Sequence, residues 1–355
     1  MLVLITLSLV FLTNASTFTD NVEGDFNSGT YNETHYNSTG NFVQLNTSYN
    51  NGTYISQIFN AGSSSTWGNI SWVSNAIGEL PSNGVTETSF DNGNANMTGN
   101  VLLMHMNEAS GIIVDYSGAG NNGTTVGDPT YGVAGKINDA ISFEGDNEGI
   151  NLSNGASINP SAEMTVSSWV NLDTGNTKYG VILSRWGTGG NAYFIGTLPN
   201  SYAVVIYFSG GLRYTTPALP TGEWVHLLVT NNGAGNNVTA YQNGVYLGEG
   251  VSGGAITSST APSSIGYDVS RINYPFKGDI DEVAIWNRTL SPSEITDLYK
   301  RGAMKLNLTA RSCDDAACDT EIWVEANDST PQNFSLNNNT FFQYRFKFET
   351  DNESA

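Results

Sequence analysis

The sequence has few basic residues and few histidines, and each shortage narrows the functions that it can support. Its 355 residues include 13 Lys and Arg, 3 His, and 33 Asp and Glu, which gives a formal net charge of -20. A surface of that sign repels phosphate backbones, so no nucleic-acid partner is expected and cations are the favoured ligands. Charged residues make up only 13% of the chain, so the acidity does not indicate disorder.

Cysteine is equally scarce. The two cysteines, Cys313 and Cys318, lie close together in the sequence and have no histidine near them. Two thiolates cannot complete a tetrahedral zinc site. A local disulfide that closes a hairpin loop is therefore the preferred interpretation, and two free thiols are the alternative.

The sequence also lacks a hydrophobic run of the roughly twenty residues that span a bilayer, so no membrane span is predicted. The apolar stretch from Leu2 to Leu12 is shorter, and the small-residue pattern Thr13-Asn14-Ala15 follows it. Residues 1–15 are therefore predicted to be a signal peptide that exports the protein. Because no basic residue precedes Lys136, a retained leader that serves as a strand or an anchor is the alternative.

Glycine, by contrast, is abundant. The 39 glycines cluster with Asn and Ser between short runs of β-branched and aromatic residues, a pattern typical of many short strands joined by tight turns. An all-β fold is therefore predicted. The chain is longer than one ordinary domain of about 100–200 residues, so two folded units are expected.

Glycosylation triplets are frequent as well. About sixteen Asn-x-Ser/Thr sequences occur, more than chance gives, which favours an exported glycoprotein. The alternative is that Asn-rich turns produce such triplets without any modification. The candidate sites are Asn32, Asn37, Asn46, Asn51, Asn69, Asn237 and Asn287.

Strand patterns mark both flanks of the chain. In residues 304–311 and 342–349, apolar and polar side chains alternate with a period of two, as they do on half-buried strands. Near the N terminus, residues 54–59 and 67–73 are predicted strands on either side of a turn at 60–65.

Each flank holds about the minimum number of strands for a stable sheet, whereas the two together make a small sandwich. We therefore predict one discontinuous β-sandwich domain formed by residues 18–100 and 303–355. Residues 101–302 are predicted to be a second domain inserted into it, an arrangement that loop tips tolerate.

One helix is predicted, over residues 291–302. Ser291 and Glu294 match a capping box, and Gly302 suits a left-handed stop at the C-terminal end. An apolar stripe runs along one side, so the helix is expected to cover one end of a sandwich.

The central region carries an ordered set of motifs. They are Leu102-Leu-Met-His-Met-Asn-Glu108, Val114-Asp-Tyr-Ser-Gly-Ala-Gly-Asn-Asn-Gly123, Gly135-Lys-Ile-Asn-Asp-Ala-Ile-Ser-Phe-Glu-Gly145, Met164-Thr-Val-Ser-Ser-Trp-Val170, Gly222-Glu-Trp-Val-His-Leu227, Tyr241-Gln-Asn-Gly-Val-Tyr246 and Gly278-Asp-Ile-Asp-Glu-Val-Ala-Ile-Trp-Asn-Arg288. This set resembles the LamG-like jelly-roll family, relatives of the concanavalin A-like lectins and glucanases. The last strand and the capped helix are also similar to the pentraxins. The resemblance implies a concanavalin A-like sandwich of two antiparallel sheets, with ligands at loop rims or on the concave face.

The resemblance also implies calcium, a hard cation that takes six to eight oxygen ligands. Asp281 is the main candidate ligand, because strand alternation from Val283 places its carboxylate on an apolar face, where it must be paired, hydrogen-bonded or metal-bound. The candidate co-ligands are Asp115, Asp146 and Asp268. The alternatives are Asx turns for Asp115 and Asp146 and hydrogen bonds to loop amides for Asp281.

Four aromatic residues are candidates for stacking on sugar rings. Trp186 and Tyr193 flank the glycine-rich segment 187–190, and Tyr214 and Tyr274 lie in or near other loops. The alternative is that these rings only cover the edge of the core.

The acidic residues do not match a glycosidase pattern. The jelly-roll glucanases carry Glu-x-Asp-x-Glu on one strand, which aims three carboxylates at the same side. Here Asp279 and Asp281 share a face, Glu282 points the other way, and no third carboxylate follows. The histidines lie beside no nucleophile motif; they are His35, His105 and His226. The chain is therefore predicted not to be an enzyme.

Two functions follow from these features. The first is an extracellular or cell-surface binding protein, an adhesin or lectin-like molecule that recognises a glycan or a surface protein with the help of calcium. The second is a structural glycoprotein subunit of a surface layer, stalk or filament, in which the leader or an open edge strand mediates self-assembly by strand addition.

Overall fold

The computed structural model describes residues 17–46, 49–72, 79–81, 95–153, 155–160, 162–233, 235, 237–269, 274–326, 332–333 and 335–350. The predicted signal peptide, residues 1–15, lies outside these ranges. The described residues fall into two units. The terminal unit holds those before residue 78 and those from residue 300 onward, and the central unit holds those from 79 to 299.

The elements of both units follow in chain order. They are α1 Glu23–Phe26, β1 Thr30–Asn32, β2 Thr34–Asn37, β3 Phe42–Leu45, β4 Asn51–Ile55, β5 Phe59–Ser65, β6 Asn69–Ile70, β7 Asn100–Met104, β8 Ile112–Ile113, β9 Gly123–Val126, β10 Thr130–Ala134, β11 Asp139–Glu144, β12 Gly149–Leu152, β13 Glu163–Leu172, β14 Gly180–Arg185, β15 Tyr193–Thr197, β16 Ala203–Phe208, β17 Gly211–Ala218, β18 Trp224–Asn232, β19 Asn237–Gln242, β20 Val245–Val251, β21 Ser263–Ile265, β22 Lys277–Trp286, α2 Pro292–Ala303, β23 Met304–Cys313, β24 Val324–Glu325, β25 Gln332–Asn333 and β26 Asn339–Thr350. The predicted all-β class is confirmed. Within the described ranges, neither helix has the length and apolar character that a membrane crossing requires.

The terminal unit is organised around the two strands that alternate most clearly in sequence. β23 pairs with β26 from Met304↔Thr350 to Cys313↔Phe341, within a sheet ordered β1-β4-β26-β23-β24. Leu308 and Ala310 of β23 are buried as the alternation predicts, and so are the aromatic residues at 342, 344, 346 and 348 of β26. These side chains form one core with Tyr54, Phe59 and Trp67. The two cysteines form a disulfide with a Cα–Cα distance of 5.2 Å.

One flank segment differs from its prediction. Residues 60–65, predicted as a turn, belong to strand β5, which pairs with β26 at Phe59↔Phe342 and Ser65↔Asn339. Small polar residues extend here because β26 offers a partner for their backbone groups, and this pairing outweighs their local turn preference. Of the strand predicted at 67–73, only β6 is a strand among the described residues.

The central unit contains two sheets of eight strands, and every strand pair is antiparallel. Sheet A runs β10-β11-β22-β13-β18-β19-β20, with β7 also paired to β22, and sheet B runs β17-β16-β15-β14-β21-β12-β9-β8. Apolar residues from both sheets form one buried cluster, including Val166 and Val229 of sheet A and Ile195 and Ile206 of sheet B. This is the jelly-roll sandwich that the motifs predict.

Local sequence signals in the central unit have their expected structural roles. Asn243 and Gly244 have φ angles of 52° and 73°, as a type I′ hairpin requires. At α2, the Ser291 amide donates to the Glu294 carboxylate at 2.8 Å, and the Glu294 amide donates to the Ser291 hydroxyl at 3.4 Å, which completes the capping box. Gly302 does not form the predicted stop, because α2 continues to Ala303.

A β-bulge in β22 overturns the predicted orientation of Asp281. The pairing with β13 shifts between Ser167↔Ala284 and Trp169↔Asp281, and Glu282 adopts a positive φ of 49° at that point. The extra residue breaks the alternation. Ile280 and Val283 both belong to the core between the sheets. Asp281 therefore lies on the other face of β22, whereas simple alternation would place it on the same face as Val283.

Candidate functional site

The outward face of sheet B carries a row of cross-strand neighbours. Phe194 on β15 lies opposite Tyr207 on β16 and opposite Ser184 on β14. The row continues from Ser184 to Ser264 on β21 and from there to Asn151 on β12. Because side chains alternate along each strand, residues directly opposite one another share a face. Aromatic rings therefore occupy one half of this row, and small polar groups occupy the other.

The aromatic half of the row forms a pocket. A cavity of about 110 Å³ is lined by Tyr179, Trp186, Phe194, Tyr207 and Tyr274. We call it the five-ring pocket. A single water occupies about 10–15 Å³ of cavity space measured in this way, so the cavity has room for about seven to eleven water-sized groups. That room matches one sugar unit rather than a long chain.

Four rings of the five-ring pocket hold one another by edge contacts, and the fifth, Tyr179, is tilted against Tyr274. The Trp186 ring lies 6.0 Å from Phe194 at 69° and 5.6 Å from Tyr207 at 73°. Phe194 meets Tyr274 at 6.1 Å and 80°, and Tyr274 lies 4.9 Å from Tyr179. Edge-to-face pairs of this kind are favourable in themselves, so the rings are fixed without a ligand.

Gly196 lies next to the pocket on β15, where there is no room for a side chain. A β-carbon at this position would lie 2.5 Å from the carbonyl oxygen of Gly180 and 3.0 Å from the Phe194 ring. Any larger residue would push against the backbone and the ring together. Glycine at 196 therefore lets the Phe194 ring keep its position.

The side chains in the polar half of the row are connected by hydrogen bonds to one another and to Tyr267. The hydroxyls of Ser184 and Ser264 lie 3.1 Å apart, and Ser264 donates to the carbonyl oxygen of Tyr267 at 2.6 Å. The Tyr267 hydroxyl in turn donates to the side-chain oxygen of Asn151. Tyr267 and Tyr274 belong to the loop that follows β21, so this loop contributes to both halves of the row.

The four predicted sugar-stacking residues have different environments. Trp186 and Tyr274 line the five-ring pocket. Tyr193 is fully buried in the core, where its hydroxyl donates to the Ile158 carbonyl at 3.0 Å, and burial raises its pKa to about 12. Tyr214 packs against the same core and donates to the Leu247 carbonyl at 3.3 Å. Burial keeps the Tyr193 ring from a ligand in solution.

Sequence reasoning missed Tyr179, Phe194 and Tyr207. Phe194 and Tyr207 lie in strands, where their alternation with core residues was the available signal: Ile195 and Ile206 face the core, so their neighbours face outward. The position of Tyr179 beside Tyr274 depends on the tertiary fold, and no local pattern predicts it.

The four predicted calcium ligands do not assemble. Asp115 accepts hydrogen bonds from the amides of Leu103 at 3.0 Å, Ser117 at 3.0 Å and Asn121 at 2.8 Å, so it forms the Asx turn that was its alternative role. Asp268 is fully buried, and Asp146 is exposed. Among the described residues, no cluster of three ligand atoms includes any of these carboxylates or Asp281.

Asp281 is likewise held by loop amides. One carboxylate oxygen accepts from the backbone N–H groups of Lys136 at 2.8 Å and Ile137 at 2.9 Å. Burial, and after it the charge of Glu282, raises the pKa of Asp281 to about 8. These four residues do not fit a calcium site with six to eight oxygens, and calcium dependence stays a prediction.

The candidate glycosylation sites differ in exposure. Asn32, Asn51, Asn237 and Asn287 are exposed, and Asn37 and Asn46 are half-buried. The side chain of Asn69 lies outside the described part of the chain. Modification of any of these asparagines stays a prediction.

Comparisons with known proteins agree with the fold. Residues 144–296 match the family described as the Concanavalin A-like lectin/glucanases superfamily, which confirms the resemblance read from the motifs. No curated protein matches the chain.

Three solved structures are similar to part of this chain. Domain 4 of AbnA, a GH43 extracellular arabinanase from Geobacillus stearothermophilus solved with arabinotriose, is 26% identical with a TM-score of 0.46, over 56% of this chain and 98% of that one. The binding domain of Paraclostridial Mosquitocidal Protein 1 is 17% identical with a TM-score of 0.47, over 64% of each chain. Trypanosoma rangeli sialidase is 16% identical with a TM-score of 0.44, over 57% of this chain and 32% of that one.

The prediction that the chain is not an enzyme is wrong, because the sequence pattern does not exclude enzyme activity. Chains of glycosidases, the GH43 arabinanase and the sialidase, are among the structures that it matches. A missing Glu-x-Asp-x-Glu strand excludes one catalytic arrangement and leaves other arrangements open. Self-assembly, the other function considered, stays a prediction.

Proposed function

We propose that the central unit is a carbohydrate-binding module of an exported protein and that the five-ring pocket receives one sugar unit of the glycan. The observation that carries this proposal is the convergence of five aromatic side chains on one cavity of about 110 Å³ at the outward face of sheet B. Trp186 and Phe194 belong to a buried apolar cluster. Tyr179, Tyr207 and Tyr274 are half-buried and present partly exposed rings beside the cavity, as interaction sites do.

The chemistry of a sugar suits this lining. The C–H face of a pyranose or furanose ring is apolar and packs on an aromatic ring, while its hydroxyls require hydrogen-bond partners. Ligand sites of this kind are mostly apolar with a few placed polar groups. Asn151, which is half-buried, supplies a polar side chain on the same cross-strand row as Phe194.

Two further observations support export. The disulfide between Cys313 and Cys318 is of a kind that persists in oxidising compartments. Four of the seven candidate glycosylation sites present an exposed asparagine, as modification requires.

The experiment is a glycan array followed by calorimetry with the best oligosaccharide. Tyr207→Ala and Tyr274→Ala each remove one half-buried ring of the pocket, and each is expected to weaken binding about ten-fold or more. Tyr246→Ala is the matched control, because Tyr246 is 56% exposed and lies outside the pocket. Equal affinity in all four proteins, no binding to any glycan, or cleavage of the glycan instead of retention would contradict the proposal.

A further inference from the structure

Three side chains with metal-ligand atoms meet beside sheet A, away from the five-ring pocket. Glu79, His105 and Glu282 place one ligand atom each within 4.8 Å of the others. His105 directly follows β7, and Glu282 lies in the bulge of β22. These strands pair as far as Met104↔Val283, so the next residues, His105 and Glu282, are brought face to face. Only 4% of His105 and 5% of Glu282 are exposed.

Glu282 fixes the orientation of the His105 ring. Its carboxylate oxygen lies 2.8 Å from Nδ1 of His105. An ionised carboxylate only accepts hydrogen bonds, so Nδ1 carries the proton and donates it to this bond. In the neutral imidazole the lone pair then lies on Nε2. A carboxylate that holds the far ring nitrogen in this way is the usual partner of a metal-binding histidine.

Glu79 lies on the Nε2 side of the ring. Its Oε2 is 3.9 Å from Nε2 of His105, and its Oε1 accepts hydrogen bonds from the side-chain amides of Asn138 at 2.8 Å and Asn107. Two ligand atoms that each lie about 2.1 Å from one ion are at most about 4.2 Å apart. The separation of Oε2 and Nε2 therefore fits a single ion between them.

The local charge also favours a cation. The carboxylates of Glu79 and Glu282 accompany one imidazole. Buried negative charge of this kind is costly unless a cation compensates it.

We propose that Nε2 of His105 and Oε2 of Glu79 bind a divalent transition-metal ion of the zinc type, with Glu282 as the carboxylate that orients the imidazole. Imidazole and carboxylate together suit zinc, whereas calcium takes oxygen ligands. This site is therefore different in residues and in chemistry from the calcium site predicted from the sequence. Two protein ligands leave the remaining positions to water, so the ion is exchangeable.

The test uses the full chain without an affinity tag, freed of metal by chelation. Calorimetric titration with zinc chloride is expected to show one ion per chain, and cobalt chloride is expected to give the visible absorption of a protein-bound ion. His105→Gln and Glu79→Gln each remove a ligand and are expected to lower zinc affinity at least ten-fold. Glu282→Gln is expected to lower it by about 10–100-fold, the usual effect of losing an orienting partner.

His35→Gln is the matched control, because His35 lies in the terminal unit and hydrogen-bonds to Asn46 and Gln44. It should bind zinc as the parent protein does. Near-ultraviolet circular dichroism shows whether each variant is folded. Because 34% of the Glu79 side chain is exposed, Glu79→Gln is expected to fold. This variant therefore tests the metal site if His105→Gln does not fold.

The competing arrangement is a protonated His105 that bridges the two glutamates without any ion. Burial lowers the pKa of His105, but the hydrogen bond and charge of Glu282, followed by Glu79 and Glu108, raise it overall. A parent protein that binds no zinc would establish this arrangement and overturn the proposal. Zinc binding that is unchanged in Glu79→Gln would also overturn it.

Discussion

The rings of Phe194 and Tyr207 lie on neighbouring strands, opposite each other in register, with centroids 5.9 Å apart and planes at 90°. This pair sets the geometry of the five-ring pocket, because Trp186 makes an edge contact with both rings. The face that we propose as the sugar site is therefore determined by the β15–β16 register.

Gly196→Ala tests the tight packing beside this pair. The added methyl would lie 2.5 Å from the Gly180 carbonyl oxygen, so we expect a loss of about 1–3 kcal/mol in the free energy of unfolding of the central unit, as for other overpacked sites. Denaturant unfolding measures it. Gly24→Ala is the control, since its β-carbon would meet nothing within 4 Å. Equal stability of the two variants would show that this strand has room to move.

Glu294→Gln tests the charge at the start of α2. Burial alone would raise the pKa of Glu294, but hydrogen bonds from Arg288 and then from Ser291 outweigh it and lower the pKa to about 2. A depressed carboxyl pKa stabilises the fold fully above the ordinary value of 4.5, and this contribution is lost as the pH falls toward 2. The variant should be less stable by about 0.5–1 kcal/mol at pH 7.

The difference between parent and Glu294→Gln should shrink as the pH falls from 4.5 to 2, as followed by thermal unfolding across that range. A constant difference at every pH would mean that the shape of the side chain matters and its charge does not.

His226 predicts a second pH dependence. Burial lowers its pKa to about 3, and its Nε2 lies 2.8 Å from the Ser167 hydroxyl. Between pH 6.5 and 3 the unfolded chain binds the proton that the folded chain does not, so stability is full above pH 6.5 and falls as the pH drops through this window.

His226→Gln should lose less stability than the parent between pH 7 and pH 4. The slope of unfolding free energy against pH measures this, and His35→Gln in the terminal unit is the control. Identical slopes for the parent and His226→Gln would contradict the buried neutral histidine.

Removal of the disulfide should have a small effect. Cys313 and Cys318 are only five residues apart, and the entropy of the unfolded chain changes less for a short loop than the typical gain of about 2–4 kcal/mol. The double variant Cys313→Ser with Cys318→Ser is expected to lower the stability of the terminal unit by less than about 2 kcal/mol. A larger loss in denaturant unfolding would assign the bridge a packing role, because both sulfurs are buried.

Local patterns in the sequence were sufficient for most of the architecture. The alternation in β23 and β26, the Asn243–Gly244 turn and the capping box of α2 each depend on neighbouring residues, so all three could be predicted. Strand β5 could not, since its polar residues extend only because β26 pairs with them. The bulge at Glu282 depends on the register between β13 and β22, and for that reason the face of Asp281 was predicted wrongly.

The site was less predictable than the fold. Trp186 and Tyr274 were identified as loop aromatics, but Tyr193 has the same local character and lies in the core. Which aromatic residues share a pocket depends on pairings such as Phe194↔Tyr207 and on the approach of Tyr274 to Tyr179. These are contacts between distant parts of the chain, and a single sequence does not contain them.

The position of a bound sugar is the most direct measurement of the central claim. A crystal structure of the full chain with the best oligosaccharide from the array should show one sugar unit in the five-ring pocket, in contact with Trp186, Tyr207 and Tyr274. A sugar bound at a different surface, with these rings in contact only with one another, would contradict the account.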